Sequence, residues 1–271
     1  MTRYRLDLNY VGTSFQGWQT QPSGNAVQDH LDRALATVLG SSIRTVGASR
    51  TDSGVHAMQQ VVTFDSDLEL ELRRIKRSLN AVLPLAIRVH AIQKVNSEFH
   101  PIVTAVRKVY RYTIWNGEEM PSWLHAFAWD VPFKLDVDLM KSEAQAFVGT
   151  HDFLSFCAVD GSAKTSIRTI FEIRVDSSDN LITIWISGNG FLKQMCRCMV
   201  GTLVDIARGR NKYEKGLVTK LLRVPDRKQA GKTAPAQGLS LAKIDYGTET
   251  SIASLVERAQ SGFCLPIPTI D

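Results

Sequence analysis

Cysteine is scarce in this sequence, with four residues among 271. They are Cys157, Cys196, Cys198 and Cys264, and no two of them form a C-x-x-C pair. Two residues that are two positions apart on a helix point to different faces, so Cys196 and Cys198 do not make a pair of metal ligands. We therefore predict that the cysteines are small core residues, with neither a disulfide framework nor a metal site.

Long hydrophobic runs are also missing. No apolar stretch approaches the roughly 20 residues that cross a bilayer. The first twelve residues, MTRYRLDLNYVG, alternate polar and apolar side chains instead of pairing a cationic segment with an apolar run. We expect a cytoplasmic protein without a membrane partner. Because 44% of the residues are hydrophobic and 22% are charged, the composition indicates a folded protein with a substantial core and excludes a disordered chain.

Positive charge is in excess and is unevenly distributed. The formal net charge is +5, and the basic residues gather in RRIKR (73–77), RKVYRY (107–112), RGRNKYEK (208–215) and DRKQAGK (226–232). Clustered cations are typical of proteins that bind a polyanion, although each run taken alone is compatible with a solvated surface. RKVYRY favours a nucleic acid, because its aromatic rings can stack on bases while Arg107, Lys108 and Arg111 contact phosphates.

Hydrophobic periodicity divides the first third of the chain into six elements. Alternating side chains predict strands and an apolar face at helical spacing predicts helices, in the order strand 4–10, helix 26–39, strand 43–47, strand 60–64, helix 68–82 and strand 87–95. Asn25 followed by Gln28 is interpreted as the capping pair of the first helix. The order of the elements is βαββαβ.

The same order recurs from residue 104 onward. The elements are strand 106–115, helix 139–148, strands 169–175 and 181–187, helix 191–208 and strand 239–246, with an extra helix and a basic loop in 212–232. We predict an α+β protein of two ferredoxin-like βαββαβ units, with antiparallel sheets that meet at a central cleft. The predicted domains are residues 1–97 and 98–247, followed by a helix and tail in 248–271.

Asp52 lies in the stretch ASRTDSGVHA, between the two middle strands of the first unit. Asp followed by Ser-Gly is common turn chemistry, so the residue is either a turn former or a reagent. Arg197 lies in the second unit, in an apolar helix beside Met195, Cys196, Cys198 and Met199. An arginine there either reaches solvent with its charged end or pairs with an anion. Asp52 is the candidate partner that we predict.

Several motifs occur in the order of one known family. They are YVGTSFQGWQTQP (10–22), GASRTDSGVHA (47–57), FHP with RKVYRY (99–112), GTHDF (149–153), GFLKQMCRCMVGTL (190–203) and APAQGLSL (234–241). In this combination the sequence resembles the tRNA pseudouridine synthase A family over nearly the whole chain. The resemblance implies the pseudouridine synthase fold and isomerisation of uridine to pseudouridine in the anticodon stem-loop of tRNA, at positions thirty-eight to forty. It also implies a homodimer that uses no cofactor and no metal.

The resemblance assigns roles to individual residues. It implies that Asp52 is the catalytic nucleophile, that Arg197 pairs with it, and that Tyr110 is the active-site tyrosine that packs on the uracil. Tyr110 read from the strand pattern alone is equally a core residue. Arg50 corresponds to the basic group associated with base extrusion. For the carboxylate, attack on the ribose, attack on the ring and proton removal in a glycal-type route all stay open.

The remaining site predictions concern RNA contacts and departures from the family pattern. We predict RNA binding by Arg50, His56, Arg107, Lys108 and Arg111, although His56 is also interpreted as a residue that shapes the turn. The chain departs from the pattern at Val11, Ser49, Ser53 and Ile102, where the family usually has Asp, Gly, Ala and Arg. None of these positions coincides with Asp52, Tyr110 or Arg197, and we expect effects on RNA contacts, rate and substrate range.

Two functions compete with the isomerase. A noncatalytic RNA-binding module would share the basic surface, but a carboxylate that faces phosphates has no use in a binder. A hydrolase would use Asp52 as its nucleophile, but no second acid stands in a matching motif to act as a general acid. We therefore predict an isomerase that modifies tRNA.

Overall fold

The protein is described here from a computed structural model, which covers residues 1–158, 163–209, 213–247 and 252–253. Its first half has the predicted order βαββαβ. The elements are β1 (Thr2–Tyr10), α1 (Val27–Leu39), β2 (Val46–Gly47), β3 (His56–Ser66), α2 (Leu72–Val82) and β4 (Ile87–Val95). Strand β1 alternates buried and partly exposed side chains, because only one face of the sheet lies against the helices.

The second half repeats this order with additions. Its elements are β5 (Arg107–Trp115), β6 (Trp129–Asp130), α3 (Val137–Gln145), β7 (Gly149–Asp152), β8 (Ile167–Ser178), β9 (Leu181–Gly188), α4 (Met195–Ala207), α5 (Leu217–Arg223) and β10 (Leu239–Asp245). The short helix α5 is the extra helix that the sequence predicts between α4 and the last strand. The prediction of a helix and tail in 248–271 falls almost entirely outside the described residues.

The strands of both halves join in one sheet. The strand order is β4-β1-β3-β10-β5-β9-β8-β7, with β2 paired to β3 and β6 paired to β5. Strand β3 and strand β10 connect the halves through a parallel pairing of only two residue pairs, Ser240 with His56 and Leu241 with Ala57. We call this pairing the seam. The α+β architecture of two ferredoxin-like units is thus confirmed, and the units meet edge to edge at the seam.

One hydrophobic core crosses the seam. Leu6 and Leu35 of the first half belong to the same buried cluster as Tyr112, Met199 and Leu241 of the second half, together with many neighbours. Burying a side chain of this size contributes about 1.5–3 kcal/mol. The shared core therefore fixes the relative position of the two halves, which the two-residue seam alone would do weakly.

Several predicted helix boundaries are wrong by a few residues. Helix α1 begins without the predicted Asn25 cap; instead Asp29 accepts the backbone N–H of Ala26 at 2.9 Å. The side chain of Gln28 turns away to donate to the Thr45 carbonyl at 2.8 Å. Helix α4 begins at Met195 instead of residue 191, because Gln194 has a left-handed backbone with φ of 60°.

Three of the four cysteines, Cys157, Cys196 and Cys198, are free and buried, which confirms them as core residues; Cys264 lies outside the described residues. Among the residues that the structure covers, no three His, Cys, Asp or Glu side chains are arranged to hold a metal ion. Within the same residues, no helix has both the length and the apolar character needed to cross a membrane.

Candidate active site

Asp52 lies in the loop between β2 and β3, which ends at the seam. The backbone of this loop is held from the first half of the chain. The Trp18 N–H donates to the Thr51 carbonyl at 3.1 Å, and the Tyr10 hydroxyl forms a 2.7 Å hydrogen bond with the Thr51 hydroxyl. Gly17 permits this close approach, because a Cβ there would lie 2.7 Å from the Thr51 oxygen and its φ is +84°. The FQGW segment therefore positions Asp52.

Arg197 reaches Asp52 from the other half. Its Nη1 donates to Asp52 Oδ2 at 3.2 Å, and its Nε donates to the Ala234 carbonyl at 2.8 Å. The side chains of Arg197 and Asp52 are 15% and 23% exposed, so each charge offsets part of the desolvation cost of the other. The contact predicted from the apolar surroundings of Arg197 is present.

Helix α4 and the segment before β10 hold this arginine in place. Gly201 lies one turn after Arg197, and a Cβ there would lie 1.7 Å from the Lys232 carbonyl oxygen. The backbone of this segment therefore lies directly on the helix. The Ala234 N–H donates to the Arg197 carbonyl at 3.0 Å, while the Ala234 carbonyl accepts from Arg197 Nε. The guanidinium is thus fixed by two acceptors, one from each half of the chain.

A cleft of about 1140 Å³ opens beside Asp52. Residues of both halves line it, including Asp52, Tyr110 and Phe191, while Arg197 is not among the lining residues. Asp52 therefore pairs with Arg197 and still borders the cleft that a substrate would enter. A cleft of this size accommodates a nucleotide, since ligand pockets typically measure about 300–1,000 Å³.

Tyr110 of β5 lies in the wall of this cleft and is only 6% exposed. Its hydroxyl forms a 2.9 Å hydrogen bond with the Ser49 hydroxyl, and its ring meets the ring of Phe191 edge-on, with centroids 4.9 Å apart. Burial raises the pKa of the Tyr110 phenol, so the hydroxyl is neutral over the working range of pH. Tyr110 thus offers the cleft an aromatic ring, and its hydroxyl is available only as a neutral group.

Lys108 and Arg50 also line the cleft. The ammonium group of Lys108 donates to the Ala48 carbonyl at 2.7 Å, and burial lowers its pKa to about 8. Arg50 is exposed, two residues before Asp52. Both positions are compatible with the predicted contacts to RNA, because each places a cation beside the carboxylate.

The alternation of β5 separates the RKVYRY cations. Lys108 and Tyr110 face the cleft, whereas Arg107 and Arg111 point to the opposite face of the sheet. There the guanidinium of Arg107 lies 5.0 Å from the centre of the Phe171 ring, and that of Arg111 lies 5.8 Å from the centre of the Trp185 ring. Arg107 and Arg111 therefore do not line this cleft, and their predicted contacts to RNA stay predictions.

The contacts of His56 favour a structural role, and its predicted contact to RNA stays a prediction. The residue is 5% exposed at the seam, where its Nδ1 accepts the Gly12 N–H at 3.0 Å and its Nε2 donates to the Gln237 carbonyl at 3.0 Å. Both ring nitrogens are occupied, so none is left for a phosphate or a base. The alternative interpretation, a residue that shapes the turn, agrees with these contacts.

Several lining residues were missed by the sequence analysis. Phe191 stands in a quoted motif, but nothing in the pattern showed that it packs on Tyr110. Three further cations line the cleft: Lys164, Arg168 and Lys193. They lie outside the four basic runs, so the charge clustering did not reveal them. Together with Arg50 and Lys108 they make the described lining mainly basic, with Asp52 and Asp152 as its carboxylates.

The joined sheets and a supported carboxylate in a basic, aromatic cleft define a pseudouridine synthase, which is an isomerase of RNA. The chain belongs to the tRNA pseudouridine synthase family, because the model of that family matches residues 8–102 and 144–247, more than half of the 271 residues.

Three relatives that carry the name of this family match the sequence over nearly the whole chain. A tRNA pseudouridine synthase A of Pelobacter propionicus is 43% identical over 246 residues, which cover 91% of this chain and 100% of the relative. The tRNA pseudouridine synthase A of a Geobacter species is 40% identical over 247 residues, 91% of this chain and 99% of the relative. A tRNA pseudouridine synthase A 2 of Clostridium perfringens is 38% identical over 246 residues, 91% of this chain and 100% of the relative.

Proposed function

We propose that this tRNA pseudouridine synthase modifies uridines at positions thirty-eight to forty in the anticodon stem-loop, with Asp52 as its nucleophile. The observation that carries the proposal is the position of Asp52 in the wall of the cleft, paired with Arg197 and with Tyr110 in the same wall. The proposal includes a homodimer that acts in the cytoplasm without a cofactor or a metal.

The reaction exchanges one bond for another. The C1′–N1 bond of uridine breaks, a C1′–C5 bond forms, C5 loses its proton and N1 gains one, so the product has the mass of the substrate. The uracil must be detached, turned and held during this exchange. An ionised carboxylate can carry the intermediate as a covalent adduct, at the ribose or at the ring, and release it when the new bond forms.

Arg197 and Tyr110 support these steps in different ways. Arg197 keeps a counterion beside Asp52 while the cleft is filled and water is displaced. Tyr110 provides an aromatic surface for a base that has left its stack, a step that costs a few kcal/mol. Phe191, edge-on to Tyr110, limits rotation of that ring.

The basic lining explains how the nucleotide is held. Arg50 comes from the first half of the chain, and Lys108, Lys164, Arg168 and Lys193 come from the second half. Phosphate contacts position a nucleic acid without reading its sequence. The choice of the three uridines therefore depends on the shape of the stem-loop and on how much of it the cleft admits.

The test replaces Asp52 by asparagine, which removes the charge and keeps the shape. We expect Asp52→Asn to fold and to bind tRNA, but to release no tritium from tRNA labelled at C5 of uridine. Asp152→Asn is the matched control: Asp152 also lines the cleft, but its carboxylate accepts the Leu154 N–H at 3.0 Å. Its release rate is expected to stay within about threefold of the wild type, as is usual for surface changes.

Two outcomes would contradict the proposal. Near-normal tritium release by Asp52→Asn would exclude a catalytic carboxylate. Equal losses of tritium release in Asp52→Asn and Asp152→Asn would mean that the loss comes from the changed charge of the cleft and not from a catalytic carboxylate. The position of modification is tested separately, by mapping pseudouridine in unmodified tRNA transcripts after reaction. Products outside the anticodon stem-loop would refute the proposed site. Sedimentation equilibrium tests whether the protein is a dimer.

A further inference from the structure

Ser49 and Tyr110 form a hydrogen bond across the two halves of the protein. The hydroxyl oxygens lie 2.9 Å apart, although the residues are 61 positions apart in the sequence. Ser49 is 7% exposed and Tyr110 is 6% exposed, and both line the cleft beside Asp52. A buried hydroxyl that loses its partner is left without water to replace the bond, so this contact is a strong restraint on the tip of the tyrosine.

The position of Ser49 is set independently of this contact. Gln60, which is fully buried in β3, binds the backbone of Ser49 at both polar groups. Its Oε1 accepts the Ser49 N–H at 3.2 Å, and its Nε2 donates to the Ser49 carbonyl at 2.6 Å. Because these contacts involve the backbone alone, the serine hydroxyl is a fixed point against which the tyrosine is placed.

Tyr110 is held at two places. The edge-on contact with Phe191 limits rotation of the ring, and the Ser49 hydroxyl fixes its tip. Among the described residues, the Ser49 hydroxyl is the hydrogen-bond partner shown for the phenol. Burial keeps that phenol neutral by raising its pKa, so it needs a hydrogen-bond partner and not a counterion.

We infer that Ser49, at a position where the family usually has Gly, is a positioning residue of the isomerisation in this chain, where it holds the ring and hydroxyl of Tyr110 in place beside the substrate. The inference rests on the proposed role of Tyr110 beside the substrate. Ser49 acts through the tyrosine, so its removal should slow the chemical step and leave the binding of tRNA unchanged.

The first measurement compares two serine variants of the same loop under single-turnover conditions, with enzyme in excess over C5-tritiated tRNA. We expect Ser49→Ala to lower the limiting rate about three- to tenfold, the worth of one hydrogen bond, with an unchanged tRNA dissociation constant. Ser53→Ala is the matched control, because the Ser53 hydroxyl donates to the Phe15 carbonyl at 3.2 Å, away from Tyr110. Its rate should equal that of the wild type within about twofold.

The second measurement is a double-mutant cycle with Tyr110→Phe. If Ser49 acts only through the tyrosine hydroxyl, Ser49→Ala has no further effect on the rate in the Tyr110→Phe background, and the two changes are fully non-additive. Urea unfolding of the four proteins should show coupling of the same sign in the free energy of unfolding, since the same bond is lost in all three variants.

Three results would overturn the inference: an unchanged rate for Ser49→Ala, equal rates for Ser49→Ala and Ser53→Ala, or additive effects of Ser49→Ala and Tyr110→Phe on the rate. A loss confined to tRNA affinity would instead make Ser49 a simple RNA contact and would also refute the inference. These outcomes are separate from a failure of the proposed function, because Asp52→Asn reports on the carboxylate alone.

Discussion

Arg197 Nη1 lies 3.2 Å from Asp52 Oδ2, and the two residues are separated by 145 positions in the sequence. Arg197→Met keeps much of the volume of the stem but leaves a partly buried carboxylate without its counterion. We expect activity at pH 7 to fall by about tenfold or more. The measurement is the single-turnover rate of tritium release from C5-labelled tRNA, compared with that of the wild type.

Arg197→Lys is the conservative control for that variant. An ammonium group restores the charge but cannot donate both to Asp52 and to the Ala234 carbonyl in the planar arrangement of a guanidinium. Its rate of tritium release should therefore lie between those of the wild type and the Met variant. An unchanged rate for Arg197→Met, in a protein that melts normally, would argue against the role of the pair.

Binding of tRNA should depend strongly on salt, because cations dominate the described lining of the cleft. The logarithm of the association constant should fall linearly with the logarithm of salt concentration, with a slope of roughly 0.7–0.9 per neutralised phosphate. Arg50→Ala should reduce the magnitude of the slope by about one such contact. The measurement is a filter-binding titration at several salt concentrations, and a flat profile would exclude a phosphate-dominated interface.

The lowered pKa of Lys108 predicts that tRNA binding depends on pH above neutrality. Its pKa is lowered to about 8 by burial, so the ammonium charge is present at pH 7 and largely lost at pH 9. We expect wild-type affinity to fall over this range, and Lys108→Met to bind more weakly at pH 7 with little further loss at pH 9. Parallel pH profiles for the two proteins would show that Lys108 does not contact the RNA.

The same lysine also makes folding stability depend on pH. As the pH rises, tRNA affinity is expected to fall, whereas the free energy of unfolding is expected to rise. Its folded pKa of about 8 lies below the ordinary value of 10.5, so between these values the unfolded chain binds more protons than the folded one. Its contribution to the free energy of unfolding therefore rises as the pH increases through that window. Urea unfolding at pH 8 and pH 10 should show a smaller increase for Lys108→Met than for the wild type.

The burial of His56 predicts that the folded protein loses stability in acid. Burial lowers the pKa of the imidazole below its ordinary value, so on acidification the unfolded chain takes up the proton first. The stability contributed by neutral His56 is present above about pH 6.5 and is lost as the pH falls below it. Protonation also removes the acceptor for the Gly12 N–H. Between pH 7 and pH 5, His56→Gln should lose less of its unfolding free energy than the wild type; equal losses would contradict this account.

Ile102 lies at the cleft and is 45% exposed, whereas Val11, the other charge-removing departure, is not among the lining residues. We expect Ile102→Arg to tighten tRNA binding and to widen the set of tRNAs modified, because it adds a cation beside the substrate. The neighbouring Val103→Arg adds the same charge at a 78% exposed position outside the lining. Pseudouridine mapping across several tRNAs compares the variants, and identical patterns and affinities would make the departure neutral.

Strand and helix order was predictable because it depends on local periodicity. Strand β1 alternates in the sequence as it does in burial, and the pattern needs no knowledge of its neighbours. The start of α4 was missed because the left-handed backbone at Gln194 leaves no signal in a non-glycine residue. The alternation of β5 places Arg107 and Arg111 on the face opposite Lys108. That signal was present in RKVYRY but was not used when all three residues were predicted to contact RNA.

Contacts between the halves were harder to predict. The Asp52–Arg197 pair was accessible because a cation among Met and Cys residues needs an anion, and the repeated order of elements allowed each half to bring one charge to a shared cleft. The bond between Ser49 and Tyr110 had no comparable signal: both side chains are acceptable to a strand or a turn, and only the folded seam brings them together. The additional cations of the cleft are scattered in sequence and converge only in three dimensions.

The seam has a consequence for protein synthesis. The ribosome releases the chain from its N-terminus, and domains generally fold in that order. Asp52 therefore emerges well before Arg197, and β3 acquires its partner β10 only after nearly all of the described chain has been made. A nascent chain carries the carboxylate without its counterion, its tyrosine wall or most of its cationic lining. Competence to modify RNA thus begins only after β10 has been made.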